Sequence, residues 1–221
     1  MAIKPILFNT EMVRAILEGK KTCTRRLVKH DVESILNSPY HKKHPEVEDR
    51  QIISKLCQPP YQPGDILYVR ETFAWCPCWD CGFDTIPDGC RHPVIYDSKK
   101  REHGCYMYRA SCEDNEYPSA DTWHPSIHMP KEAARIWLKV TNVRVERLQE
   151  ISEDGAKAEG ANFKNGKNVG FEEKMNRTAI ERFTEIWNST IKKSDLDRYG
   201  WDANPWVWVI EFERCEKPEG V

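Results

Sequence analysis

The strand-forming runs of this chain are short, far apart and never set in the alternating strand–helix order that a parallel sheet needs. Residues 5–8, 66–73, 134–147 and 205–212 carry the β-branched and aromatic content of strands. In the long run at 134–147, Ile136, Leu138 and Val140 alternate, then Val143 and Val145, so a kink is expected near Thr141 and Asn142. Without a βαβ rhythm, such runs favour a small barrel with appended helices over a doubly wound sheet.

Helices are expected between these runs. Asn9 or Thr10 caps a first one, whose face is Met12, Val13, Ile16 and Leu17, and Gly19 follows as a left-handed terminator. A second spans 148–160, with Ser152 as a cap and Gly160 as a stop. A third spans 171–190, turning Ile180, Phe183, Ile186 and Trp187 inward. The segment 162–170 reads as a flexible loop. Pro63, Gly64 and Asp65 form a turn before the second strand run.

The 221 residues read as a single domain over 1–221, with a polar, partly helical excursion at 30–60 and a cysteine-rich insertion at about 76–130. Inside the insertion, 93–96 and 105–109 read as short strands. Eight Trp and eight Tyr supply large apolar surfaces to a chain of only 39% hydrophobic residues. The formal charge of −2 gives no global positive field, so any nucleic-acid contact has to come from a local patch. No apolar run reaches the length of a membrane span. Nine cysteines, an odd number and no secretion signal point to reduced thiols and a cytoplasmic protein.

Four segments carry chemistry. The first is 19–26, GKKTCTRR. Here Lys20, Thr22, Arg25 and Arg26 can reach phosphates, and a desolvated Lys21 can act as a base toward Thr24 or a water. A solvated basic turn is the plainer reading. The second is Glu159, a carboxylate at a helix C-terminus that opposes the helix dipole; an ordinary surface Glu is the plainer reading, and a cationic partner such as Lys21 would make sense of the placement. The third is Cys76, Cys78, Cys81 and Cys90, either a structural zinc site or a set of reduced thiols. The fourth is 123–130, WHPSIHMP, where Trp123 and His128 can stack on a base and bind its edge, or simply seal the fold. There is no phosphate-binding glycine loop, no zinc-protease helix motif and no serine-hydrolase elbow. P-C-x-x-C occurs at 77–81.

With those residues in view, the chain resembles the ASCH domain family of the PUA-like superfamily. The family string G-x-K-x-x-E-x-R reads here as Gly19, Lys21, Thr24 and Arg26. Thr24 replaces the usual Glu, and the variant G-x-K-T-x-T-x-R is similar to that of the bacterial ASCH amidohydrolases acting on N4-acetylcytidine. The turn at 63–65, the end of the helix at Glu159 and the closing strand resemble the family in the same order. The whole layout looks like the longer ASCH proteins of phages and prophages. The resemblance covers about 1–30, 60–75 and 130–215. It implies an α+β fold, a PUA-like β-barrel with flanking helices and a Cys-rich insertion. It also implies a nucleobase- or nucleoside-directed amidohydrolase using Lys21, Thr24 and Glu159. That chemistry needs no cofactor, and zinc enters only structurally. The partners it implies are RNA or a modified nucleoside. Two other readings stand beside it: a non-catalytic RNA-binding module, and a phage accessory protein that binds a protein partner through the insertion.

Overall fold

The structure, a computed structural model, describes residues 1–77, 95–97, 102–112, 123–161 and 177–220. It is mixed α+β. The strands are β1 (Ile3–Leu7), β2 (Cys23–Leu27), β3 (Ile66–Arg70), β4 (Phe73–Pro77), β5 (Ile95–Asp97), β6 (Glu102–Tyr108), β7 (Trp137–Arg147) and β8 (Trp206–Cys215). They form a five-stranded sheet in the order β1-β3-β7-β8-β2 and a three-stranded sheet in the order β4-β6-β5. Among the described residues, a β1–β2 pairing that would close the larger sheet into the expected barrel is not found. No helix among them is long and apolar enough to cross a membrane.

The chain divides into two compact units. The first comprises residues 1–4, 15–67 and 138–216, and the second 5–14, 68–137 and 217–221. The second contains every described residue of the stretch that the sequence offers as an insertion.

The first helix, α1 (Thr10–Leu17), forms where the apolar spacing places it. Asn9 is its cap, accepting from the Met12 amide at 2.9 Å. Gly19 takes φ +71° and turns the chain toward β2. The excursion at 30–60 contains three short helices, α2 (Val32–Leu36), α3 (Pro39–Lys43) and α4 (Asp49–Leu56). Of these, α4 buries Ile52 and Ile53.

The helix expected over 148–160 is shorter than its sequence pattern. Leu148–Glu150 is a 3-10 turn, and α5 is Glu153–Ala158, started by the Ser152 hydroxyl accepting from the Gly155 amide at 3.1 Å. Next comes α6 (Ala179–Thr190), with a reciprocal Thr178–Glu181 cap. Glu153 of α5 accepts from the Ala179 amide at 2.9 Å, tying the start of α6 to α5. Phe183 and Trp187 of α6 pack with Leu148, Ile151, Ala156 and Val207, and Ile180 and Ile186 flank them. This apolar cluster fixes α5 against β8. The loop expected at 162–170 and the start of the third helix at 171–176 lie outside the described residues. The fold ends with α7 (Leu196–Tyr199) and β8.

The strand read over 66–73 is two strands, parted at Glu71 and Thr72. Glu71 is buried and takes a two-pronged ion pair from Arg135, at 2.9 and 3.0 Å. Along β7, Leu138 and Val140 are buried, Thr141 and Asn142 are both exposed, and Val145 is buried again. The inward alternation therefore changes phase where the kink is expected.

The turn at 63–65 is locked by its aspartate. Asp65 accepts from the Ala2 amide at 2.8 Å, from Lys4 Nζ at 2.9 Å and from the Gln62 amide at 3.1 Å. Burial pushes its pKa up, but these bonds outweigh burial and hold the carboxyl below its ordinary value. The unfolded chain therefore takes the proton first as pH falls. The stabilisation is complete above about pH 4 and is lost as pH drops through the depressed folded value. Urea unfolding of wild type and Asp65→Asn should show a stability gap at pH 7 that shrinks below about pH 4. A gap independent of pH would reject this role.

Candidate functional site

The site belongs to the first unit and starts from the turn after α1. The Lys20 and Lys21 amides both donate to the Ala15 carbonyl, at 2.8 and 3.0 Å, so the chain folds back tightly past Gly19. The Thr22 amide then donates to the Ala158 carbonyl at 2.8 Å, and Lys21 forms an antiparallel bridge with Glu159. The end of α5 is thereby laid against the approach to β2. Gly160, at φ +86°, permits this. A Cβ there would meet the Ala15 Cβ at 3.0 Å and the Lys21 Cβ at 3.4 Å.

This backbone joins side chains 138 positions apart. Lys21 Nζ donates to Glu159 Oε2 at 2.6 Å and to the Glu159 carbonyl at 2.8 Å, and its side chain has 0% exposure. Arg25 adds a second cation, with Nη1 3.3 Å from Glu159 Oε1. The rest of the Arg25 fork is held by Glu146, at 2.7 and 3.1 Å to Oε1. Arg144 pairs with both Glu146 and Glu211, carrying the alternation of charge outward to half-exposed groups. Two buried cations thus face two buried carboxylates, which is the condition for keeping charges out of water.

Burial lowers the Arg25 pKa, but Glu159 and Glu146 more than offset it and hold the guanidinium above its ordinary value. The Cys23 thiol is pushed up to about 12 by burial and then by Glu159, so it stays protonated and unreactive. Burial lowers Arg26, against the pull of Glu159 and Tyr61. Glu159 is the one charge that acts on all three.

Of the residues singled out in sequence, Lys21, Glu159 and Arg25 meet in one ion-paired group. Thr24 is 1% exposed on β2, opposite Ile210 of β8. The strand pleat turns it to the face it shares with Arg26, away from Cys23 and Arg25. Lys20 pairs with Glu18 at the surface, and Thr22 is exposed. Trp123 and His128 belong to the second unit. There Trp123 lies with the Arg109 guanidinium 5.5 Å from its ring centre, and His128 is exposed. Cys76 sits on β4, while Cys78, Cys81 and Cys90 lie outside the described residues. Among the described residues, no group of three or more metal-ligating side chains converges.

Glu146 is the member that sequence reasoning misses. Its alternation with Val143 and Val145 assigns it to the outer face of β7, yet both Val145 and Glu146 are buried. Beside this group lies a cleft of about 430 Å³, walled by Thr22, Cys23, Arg25, Arg144, Asp154 and Gly155 among others. Its size is that of a small-ligand pocket. Arg25 belongs both to its wall and to the ion-paired group.

No family model matches the chain, and no curated protein matches it. The chain is similar to a solved structure of an ASCH domain from Lactobacillus crispatus JV V101. The identity is 11%, over 96% of this chain and 79% of that one, with a TM-score of 0.36.

Proposed function

We propose that the chain is an ASCH-type, PUA-like domain that hydrolyses an amide on a nucleobase or nucleoside, of the N4-acetylcytidine type. The observation that carries this reading is the buried pair of Lys21 Nζ and Glu159 Oε2 at 2.6 Å. It joins two of the three residues that the G-x-K-T-x-T-x-R string and its distant glutamate implied. Thr24, the third, is buried on the opposite face of the strand pleat, away from Arg25.

In this reading the pair holds one mobile proton. Passing it from Lys21 to Glu159 along the short hydrogen bond leaves a neutral amine. That amine takes the proton of a water as it adds to the acetyl carbonyl. Glu159 then gives its proton to the departing amine. The balance is amide plus water to acetate, the free exocyclic amine and one proton released to solvent, and no cofactor takes part. Arg25, gripped by Glu146, orients the Glu159 carboxylate. Arg26 offers its charge to the oxyanion or to a phosphate. Lys21 has no exposed side-chain surface, so turnover requires a motion that uncovers it.

Incubation with N4-acetylcytidine, followed by chromatography, tests the reading: cytidine should accumulate with time and enzyme concentration. Salt-sensitive binding of single-stranded RNA without any product would instead support the non-catalytic module.

A further inference from the structure

The cysteine-rich insertion has two described members in the three-stranded sheet, and they stand opposite each other. β4 and β6 pair antiparallel, with Phe73 opposite Tyr108, Ala74 opposite Met107 and Cys76 opposite Cys105. Residues directly opposite send their side chains to the same face, so the two half-buried thiols stand side by side.

The phase of the pairing fixes their separation. The Phe73 amide donates to the His124 carbonyl at 3.2 Å, and the Phe73 carbonyl accepts from the His124 amide at 2.7 Å. Both groups therefore point away from β6, and Phe73–Tyr108 is a pair without ladder hydrogen bonds. Three positions on, Cys76–Cys105 is a hydrogen-bonded pair, the wider kind, with Cα atoms about 5.5 Å apart. Cβ atoms of opposed residues are about 4.5–5.5 Å apart, the wider pairs at the upper end. A disulfide needs about 3.8 Å between Cβ atoms. Two thiolates on one tetrahedral zinc ion, each about 2.3 Å from the metal, have sulfurs about 3.8 Å apart. Two Cβ atoms at about 5 Å reach that by leaning inward. At that spacing two free thiols can share an ion without any change of register.

We infer that Cys76 and Cys105 are two ligands of a zinc ion. Cys105 is a ligand that the linear spacing of Cys76, Cys78, Cys81 and Cys90 does not reveal. Each thiol gives up its proton on binding, so affinity falls with pH. The ion ties β4 to β6, and its binding energy becomes folding energy for the three-stranded sheet.

The test is metal content of the full chain, purified without a metal-binding tag from zinc-supplemented cells. About one zinc ion per chain is expected in wild type and in Cys215→Ser. Cys76→Ser and Cys105→Ser should each lose most of it, while Cys105→His, which keeps a zinc ligand, should retain it. If the serine variants fail to fold, alkylation of wild type decides. Cys76 and Cys105 should be protected until a chelator is added, then modified together. Zinc-free wild type under excess zinc, full zinc in Cys105→Ser, or a Cys76–Cys105 disulfide in the isolated protein would each overturn the inference.

Discussion

Replacing Glu159 by alanine is expected to lower the unfolding free energy by about 3–5 kcal/mol, the cost of leaving a buried charge without its partner. In a chain this long that is a fall in Tm of roughly 10 °C or more. The group holds Lys21 and Arg25 against Glu159 and Glu146, all with side chains at most 11% exposed. Removing Glu159 leaves two cations and one carboxylate. Removing Lys21 as well, as Lys21→Met with Glu159→Ala, leaves Arg25 balanced by Glu146, so the double variant should recover part of the loss. Thermal unfolding of the two single variants and the double variant checks this. A double variant no more stable than Glu159→Ala would show that packing, not charge balance, sets the cost.

Lys21→Met alone is expected to remove turnover and to cost the fold less than Glu159→Ala does. Glu159 keeps Arg25 at 3.3 Å, so no buried carboxylate is orphaned. The methionine stem fills much of the space of the lysine stem. Loss of a positioned acid–base group costs about 10²–10⁴ in rate. Unfolding measured beside activity separates the two effects. An unchanged rate in folded Lys21→Met would exclude the lysine from the chemistry.

Much of the local structure near the site is legible in sequence, because it rests on short-range rules. The spacing of Val13 and Ile16, the Asn9 cap and the turn at Gly19 place the end of α1 within a residue or so. The Ser152 cap likewise marks the start of α5. The 138-residue union of Lys21 with Glu159 has only an indirect signal, a carboxylate set against a helix dipole and a family string. Glu146 has none: alternation with Val143 and Val145 turns it outward, yet it is buried beside Val145, where Arg25, far along the chain, pairs with it. The break between β3 and β4 is hidden for a similar reason. Glu71 sits inside an apolar run and is buried only because Arg135, far along the chain, neutralises it. The Cys76–Cys105 register is equally invisible to linear spacing, since it depends on which strands pair and in what phase.

The decisive experiment is the release of cytidine and acetate from N4-acetylcytidine by the full chain, run beside folded Lys21→Met. The expected result is equimolar products from wild type and, from the variant, a rate at least about a hundredfold lower. Equal, background-level release from both proteins, with both folded, would contradict the assignment of Lys21 and Glu159 to an amide-cleaving site.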